Sequence, residues 1–139
     1  MPAITTTEIE QITDQAGKVL ALIARAEYEP DKTSFVTPEG FAQQLGFIVY
    51  PAGQKVVPHL HLPIERYLRG TSEAIMVRQG RAVLTIYDDD KEQVYESTMR
   101  RGDVVVLVAG GHGFEMLEDT VLMEIKQGPY TGLQEKERF

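Results

Sequence analysis

Cysteine is absent from this chain of 139 residues, and so is tryptophan. Without thiols there is no disulfide, no thiolate metal ligand and no cysteine nucleophile, so any bound metal must be held by nitrogen and oxygen. Positive charge is scarce: 14 basic residues against 21 acidic give a formal charge of -7 and a pI near 4.9. That balance argues against nucleic acid or an anionic membrane surface as the main partner. Long apolar runs are missing as well; Val19 to Ala24 and Val104 to Ala109 are far too short to cross a bilayer. The opening MPAITTTEIEQITDQ lacks the basic and apolar regions of a signal peptide, so a cytoplasmic location is the expectation.

What is present suits a globular protein: 42% hydrophobic and 25% charged, with no repeat and no linker-like stretch. One domain is expected over residues 1–139, ending in a polar tail at 129–139. Thr7 and Glu10 have the spacing of a capping box, and Ile9, Ile12 and Ala16 share a helical face before Gly17, which predicts a short N-terminal helix. A single helical turn is expected at Thr37-Pro38-Glu39. Residues 18 to 28 and 45 to 51 read as strands.

From Phe47 onward, short apolar runs alternate with turn signals such as Gln79-Gly80, Asp88-Asp89-Asp90, Arg101-Gly102 and Gly110-Gly111. Strands are expected near 55 to 61, 73 to 79, 82 to 88, 93 to 99, 103 to 108, 112 to 117 and 120 to 127. So many short strands with regular turns predict an all-β sandwich or barrel. The aspartate run lacks the spaced ligands and closing glutamate of a calcium loop and reads as an acidic hairpin tip. Gly110-Gly111-His112-Gly113 has no phosphate-loop lysine and no dinucleotide fingerprint; its glycines read as turn residues that aim His112 inward.

The three histidines are His59, His61 and His112. In an extended chain His59 and His61 lie on one face with Leu60 on the other, so both imidazoles can reach one ion. Further on, Glu73, Ile75 and Val77 alternate with Ala74, Met76 and Arg78, which would put the Glu73 carboxylate on an apolar face. A charge there is costly unless it is paired or bound to metal.

Gly53, His59-Leu60-His61, Glu73 and Gly80 together resemble the first sequence motif of the cupin superfamily, and Gly102, Gly110 and His112 resemble the second. The two stretches cover 53–80 and 102–116. The resemblance implies a jelly-roll barrel holding one divalent metal through His59, His61, Glu73 and His112. Eleven residues separate His61 from Glu73, more than the motif carries, and Val108 and Met116 replace its proline and asparagine. Glu65 meets the short spacing and competes for the carboxylate role. Three imidazoles and a carboxylate suit zinc, iron, nickel, manganese or copper.

FVTPEGFAQQLGFIVYPAG, PHLHLPIERYLRGTSE, GDVVVLVAGGHGFEMLED and EIKQGPYTGLQEKERF are also similar to small single-domain cupins found with bacterial surface-polysaccharide and sugar-nucleotide biosynthesis genes. The EIKQGPY ending is similar to the C-terminal cupin part of type II mannose-6-phosphate isomerases. The resemblance implies a metal-dependent isomerase or epimerase acting on a small sugar-like or carbonyl-bearing substrate, and a homodimer. An iron-dependent oxygenase and a non-catalytic sugar-binding protein are the alternatives. Arg66 and Arg69 could clamp a substrate carboxylate or phosphate. Gln127, which follows Val121, Met123 and Ile125 at strand period, could line the same cavity. No residue has a catalytic role assigned by the sequence.

Overall fold

Period-two alternation governs the middle of the chain, and it produces strands where each second side chain is buried. The computed structural model describes residues 8–139. Its strands are β1 (Glu10–Thr13), β2 (Val19–Ala24), β3 (Ser34–Phe35), β4 (Gly46–Phe47), β5 (Glu73–Gln79), β6 (Arg81–Tyr87), β7 (Gln93–Arg100), β8 (Val104–Leu107), β9 (Gly111–Met116) and β10 (Val121–Lys126). The chain is all-β, every pairing is antiparallel, and no helix occurs among the described residues.

Five strands form one sheet in the order β1-β2-β8-β5-β10, and three form a second in the order β7-β6-β9; β3 and β4 make a separate hairpin. One apolar core joins the two larger sheets. Ala21, Ile23, Ile75, Val77, Val105 and Leu107 come from the first, and Leu84, Ile86 and Met99 from the second. Burying a side chain such as Leu84 or Ile23 contributes about 1.5–3 kcal/mol each. The sheets do not close into a barrel: β1, β10, β7 and β9 all have a free edge among the described residues.

The β5–β6 turn depends on Gly80. Its φ is +89°, and a Cβ there would strike the Asp119 carbonyl oxygen and the Thr120 side chain. At the acidic tip, Asp88 Oδ1 accepts from the backbone N–H of Asp90 and Glu92 at 2.9 and 3.0 Å, so that carboxylate closes a turn.

The expected N-terminal helix is not formed where the structure describes it; Thr7 lies outside the described residues. Glu10 to Thr13 is strand β1, paired to β2. Its physical cause is a period of two that outweighs the helical spacing: Ile12 is buried, while Gln11 and Thr13 on the other face are exposed. Gly17, with φ +86°, ends no helix but sits in the β1–β2 turn, where Asp14 Oδ1 accepts from Ala16 and Lys18 N–H. Glu10 is held by Arg25, whose guanidinium also reaches Asp103, Ser97, Tyr95 and the Thr98 carbonyl. Burial works against the Arg25 charge, but the Glu10 hydrogen bond and the surrounding charges outweigh it and hold its pKa above the ordinary value. The turn at 37–39 is likewise not helical.

The strand expected over 55 to 61 is also absent. Prolines 51, 58 and 63 each remove a backbone donor, and no neighbouring strand supplies a ladder. Residues 48–70 therefore run outside the sheets, with Leu60 and Leu62 76% and 75% exposed. The other expected strands are present, most within a residue or two at their ends. The tail at 129–139 lies on the surface, pinned by Phe139 against Tyr87 and by Glu137 to Lys91 at 2.7 Å.

Candidate metal centre and cation-lined cavities

Glu73 opens β5, where it faces Leu107 of β8 on one side and Lys126 of β10 on the other. It shares a strand face with Ile75 and Val77, both buried in the core, so its carboxylate points into the space between the sheets. His112 comes from the opposite sheet. It pairs with the fully buried Ile86 and therefore shares the inward face of β9. Just before it, Gly110 adopts φ +70°, and a Cβ at that point would meet the Tyr87 carbonyl oxygen. Only glycine lets the chain pass so close on its way to His112.

These two placements bring His112 Nε2 to 3.6 Å from Glu73 Oε2, with side chains 31% and 13% exposed. Burial, reinforced by a hydrogen bond and charge from Glu124, pushes Glu73 up to about 7, against the pull of Lys126 and Lys136. Burial also pushes His112 below its ordinary value, with Glu124 opposing and Lys136 adding to the effect. Burial thus disfavours the charged form of both groups. Such groups can lend lone pairs to a metal or exchange protons with a bound molecule.

His59 and His61 lie elsewhere, on the exposed 48–70 segment. Their rings are neighbours, with centroids 5.3 Å apart, and His59 Nδ1 sits 2.9 Å from the Val57 carbonyl oxygen. The tautomer that donates from Nδ1 leaves the Nε2 lone pair free. Glu65 is exposed on the same segment. The structure thus forms two donor pairs, Glu73 with His112 and His59 with His61, and does not bring the pairs together. No three His, Asp or Glu side chains among the described residues converge so as to hold a metal ion. The donor chemistry fits a divalent ion, whereas the placement supplies two donors at each of two points.

Arg66, Arg69 and Gln127 do gather, around two cavities that Glu73 itself does not line. A cavity of about 390 Å³ is lined by Arg69, Ser72, Gln127, Lys18, Phe41 and Val108 among others. A second, of about 850 Å³, adds Arg66, Lys126, Glu39 and Gln43 and shares Arg69 and Gln127 with the first. Ser72 directly precedes Glu73 and Lys126 pairs with it, so the cavities open at the strand ends next to that carboxylate. Gln127 lines both of these cavities. Leu122 and Glu124 pair with Val77 and Ile75, so the inward face of β10 is Leu122, Glu124 and Lys126.

Glu124, Lys126 and Lys136 carry no motif that marks them as neighbours of this pair. The Leu122-Glu124-Lys126 alternation is visible in the sequence, but a β-bulge between Val121 and Leu122 decides which face turns inward. Lys136 carries no sequence signal, because only the docking of the tail brings it near the pair. No helix among the described residues is long and apolar enough to cross a membrane. The chain matches no family model, no curated protein sequence and no solved structure.

Proposed function

We propose that the chain is a metal-binding β-sandwich of cupin type, in which Glu73 and His112 form the fixed half of a four-donor site and His59 and His61 the remaining half. The observation that carries this reading is the Glu73–His112 contact of 3.6 Å, made by inward-facing residues of two different sheets. A carboxylate and imidazoles suit a divalent transition ion such as zinc, iron, nickel, manganese or copper. Bound there, the ion would supply Lewis acidity towards a substrate oxygen. The substrate is a sugar-like, carbonyl-bearing small molecule and the reaction an isomerisation or epimerisation, a reading that rests on the motif resemblance.

A homodimer belongs to the same proposal. The 48–70 segment displays Val57, Leu60, Leu62, Ile64 and Tyr67 to solvent, and the outer strands of both larger sheets have free edges among the described residues. An uncovered apolar stretch beside unpaired edges favours association. Elemental analysis of untagged protein tests the metal: about one ion per chain is expected, lost in His112→Ala and in His59→Ala. Full metal content surviving both substitutions would remove the site.

A further inference from the structure

We infer that the two adjoining cavities between residues 39–44 and 66–70 form a binding site for a small hydroxylated anion, a phosphate- or carboxylate-bearing molecule of sugar size. The site lies at the strand ends next to Glu73, none of His59, His61, Glu73 or His112 is among its lining residues, and it does not depend on a metal.

Charge is the first support. In a chain of net charge -7, four of the 14 basic side chains line this depression, namely Lys18, Arg66, Arg69 and Lys126, with Glu39 the one acid among its lining residues. Lys18 is engaged by Asp89 at 2.8 Å. Among the described residues no carboxylate lies within salt-bridge distance of Arg66, Arg69 or Lys126. A cluster of like charges without counter-charges raises the local potential and attracts an anion. Guanidinium groups in particular match the paired oxygens of a carboxylate or phosphate.

Unmet hydrogen bonding is the second support, and it is independent of charge. Ser72 is 9% exposed, lines the smaller cavity, and its buried Oγ has no partner. Gln43 lines the larger cavity, and its buried Oε1 is also without a partner. Buried polar atoms are rarely left unpaired in folded proteins, and two beside one depression mark where a ligand's polar groups would sit. The Gln43 oxygen can only accept, so it calls for a ligand hydroxyl; the Ser72 hydroxyl can donate to an anionic oxygen.

Shape completes the argument. Phe41, Leu68, Val19 and Val108 give the smaller cavity apolar walls, and its volume of about 390 Å³ falls in the range that holds small molecules. Apolar walls with a few convergent polar groups match a sugar ring, which has apolar C–H faces and hydroxyl edges.

The test is calorimetric titration of the full-length, chelator-stripped protein with glucose 6-phosphate, gluconate, inorganic phosphate and glucose. Binding of glucose 6-phosphate or gluconate with glucose inert is expected, and the tighter of the two distinguishes phosphate from carboxylate. Arg69→Ala should weaken that binding by about ten- to a hundredfold. Ser72→Ala should weaken it with no loss of melting temperature, since the lost hydroxyl had no partner; a clear loss of melting temperature would overturn its assignment as a ligand group. Neither anion binding, glucose binding as tightly as glucose 6-phosphate, or undiminished binding in Arg69→Ala would overturn the site. Stripping the metal separates this result from the metal proposal, and metal content of Arg69→Ala should stay at the wild-type level.

Discussion

Glu73 of the five-stranded sheet and His112 of the three-stranded sheet meet at 3.6 Å across the interior of the sandwich. Burial works against the charged form of each, raising Glu73 to about 7 and lowering His112. The contact places titratable donors where the core gives way to an open sheet edge. From this placement follow expectations for metal binding, for pH dependence and for the segment that carries the other histidines.

Metal content separates the two carboxylates that compete as ligands. Glu73→Gln should lower affinity by about tenfold or more, and Glu65→Gln should change it little. The reverse order, measured by competition with a metal indicator, would move the ligand to the 48–70 segment.

In metal-free protein, Glu73 binds its proton more tightly folded than unfolded. Its contribution therefore favours the folded state most at low pH and falls as pH rises from 4.5 to about 7. His112 acts in the opposite sense, adding stability as pH rises towards 6.5, because burial disfavours its charged form. Glu73→Gln removes the first effect. Chemical denaturation should show it gaining about 1–2 kcal/mol relative to wild type between these pH values, a figure discounted for partial solvation. A parallel pH profile for the two proteins would refute the assignment.

The exposed histidine segment should respond to metal. If His59 and His61 join Glu73 and His112 around one ion, amide exchange over 55–64 should slow on adding zinc, and no such change should occur in His112→Ala. Leu60→Asp together with Leu62→Asp should shift a dimer towards monomer by sedimentation. An unchanged sedimentation coefficient would place the dimer contact elsewhere.

Arg25→Ala should cost about 3–5 kcal/mol in urea unfolding, because it strips the counter-charge from Asp103, whose side chain is 5% exposed, and from Glu10. A loss under about 1 kcal/mol would mean that the backbone N–H groups of Ala26 and Arg100, which Asp103 also binds, suffice. Leu84→Ala, at the centre of the core between the sheets, should cost about 2–5 kcal/mol in the same assay.

Much of the sheet structure was legible because alternation is a local signal. Residues 73 to 79 were expected as a strand and are β5 with the same ends. Residues 10 to 13 were not legible: Ile9, Ile12 and Ala16 do fit a helical face, and only the ladder to β2 and the Arg25–Glu10 contact select the strand. The opposite error occurred at 55 to 61, where alternating side chains suggested a strand but no partner edge is present to pair with it. A strand is a property of two segments, and one of them was missing.

The sequence by itself determined the all-β class, the strand positions after residue 70, and which atoms are available as metal donors, since these follow from side-chain period and chemical type. Only the tertiary structure decided which donors meet. Glu73 and His112 converge because two sheets pack on one core, whereas His59 and His61 stay together on a segment outside it. It also decided that Arg69 and Gln127 line one cavity, because residues 66–70 and the end of β10 are far apart in sequence and only the packing brings them together.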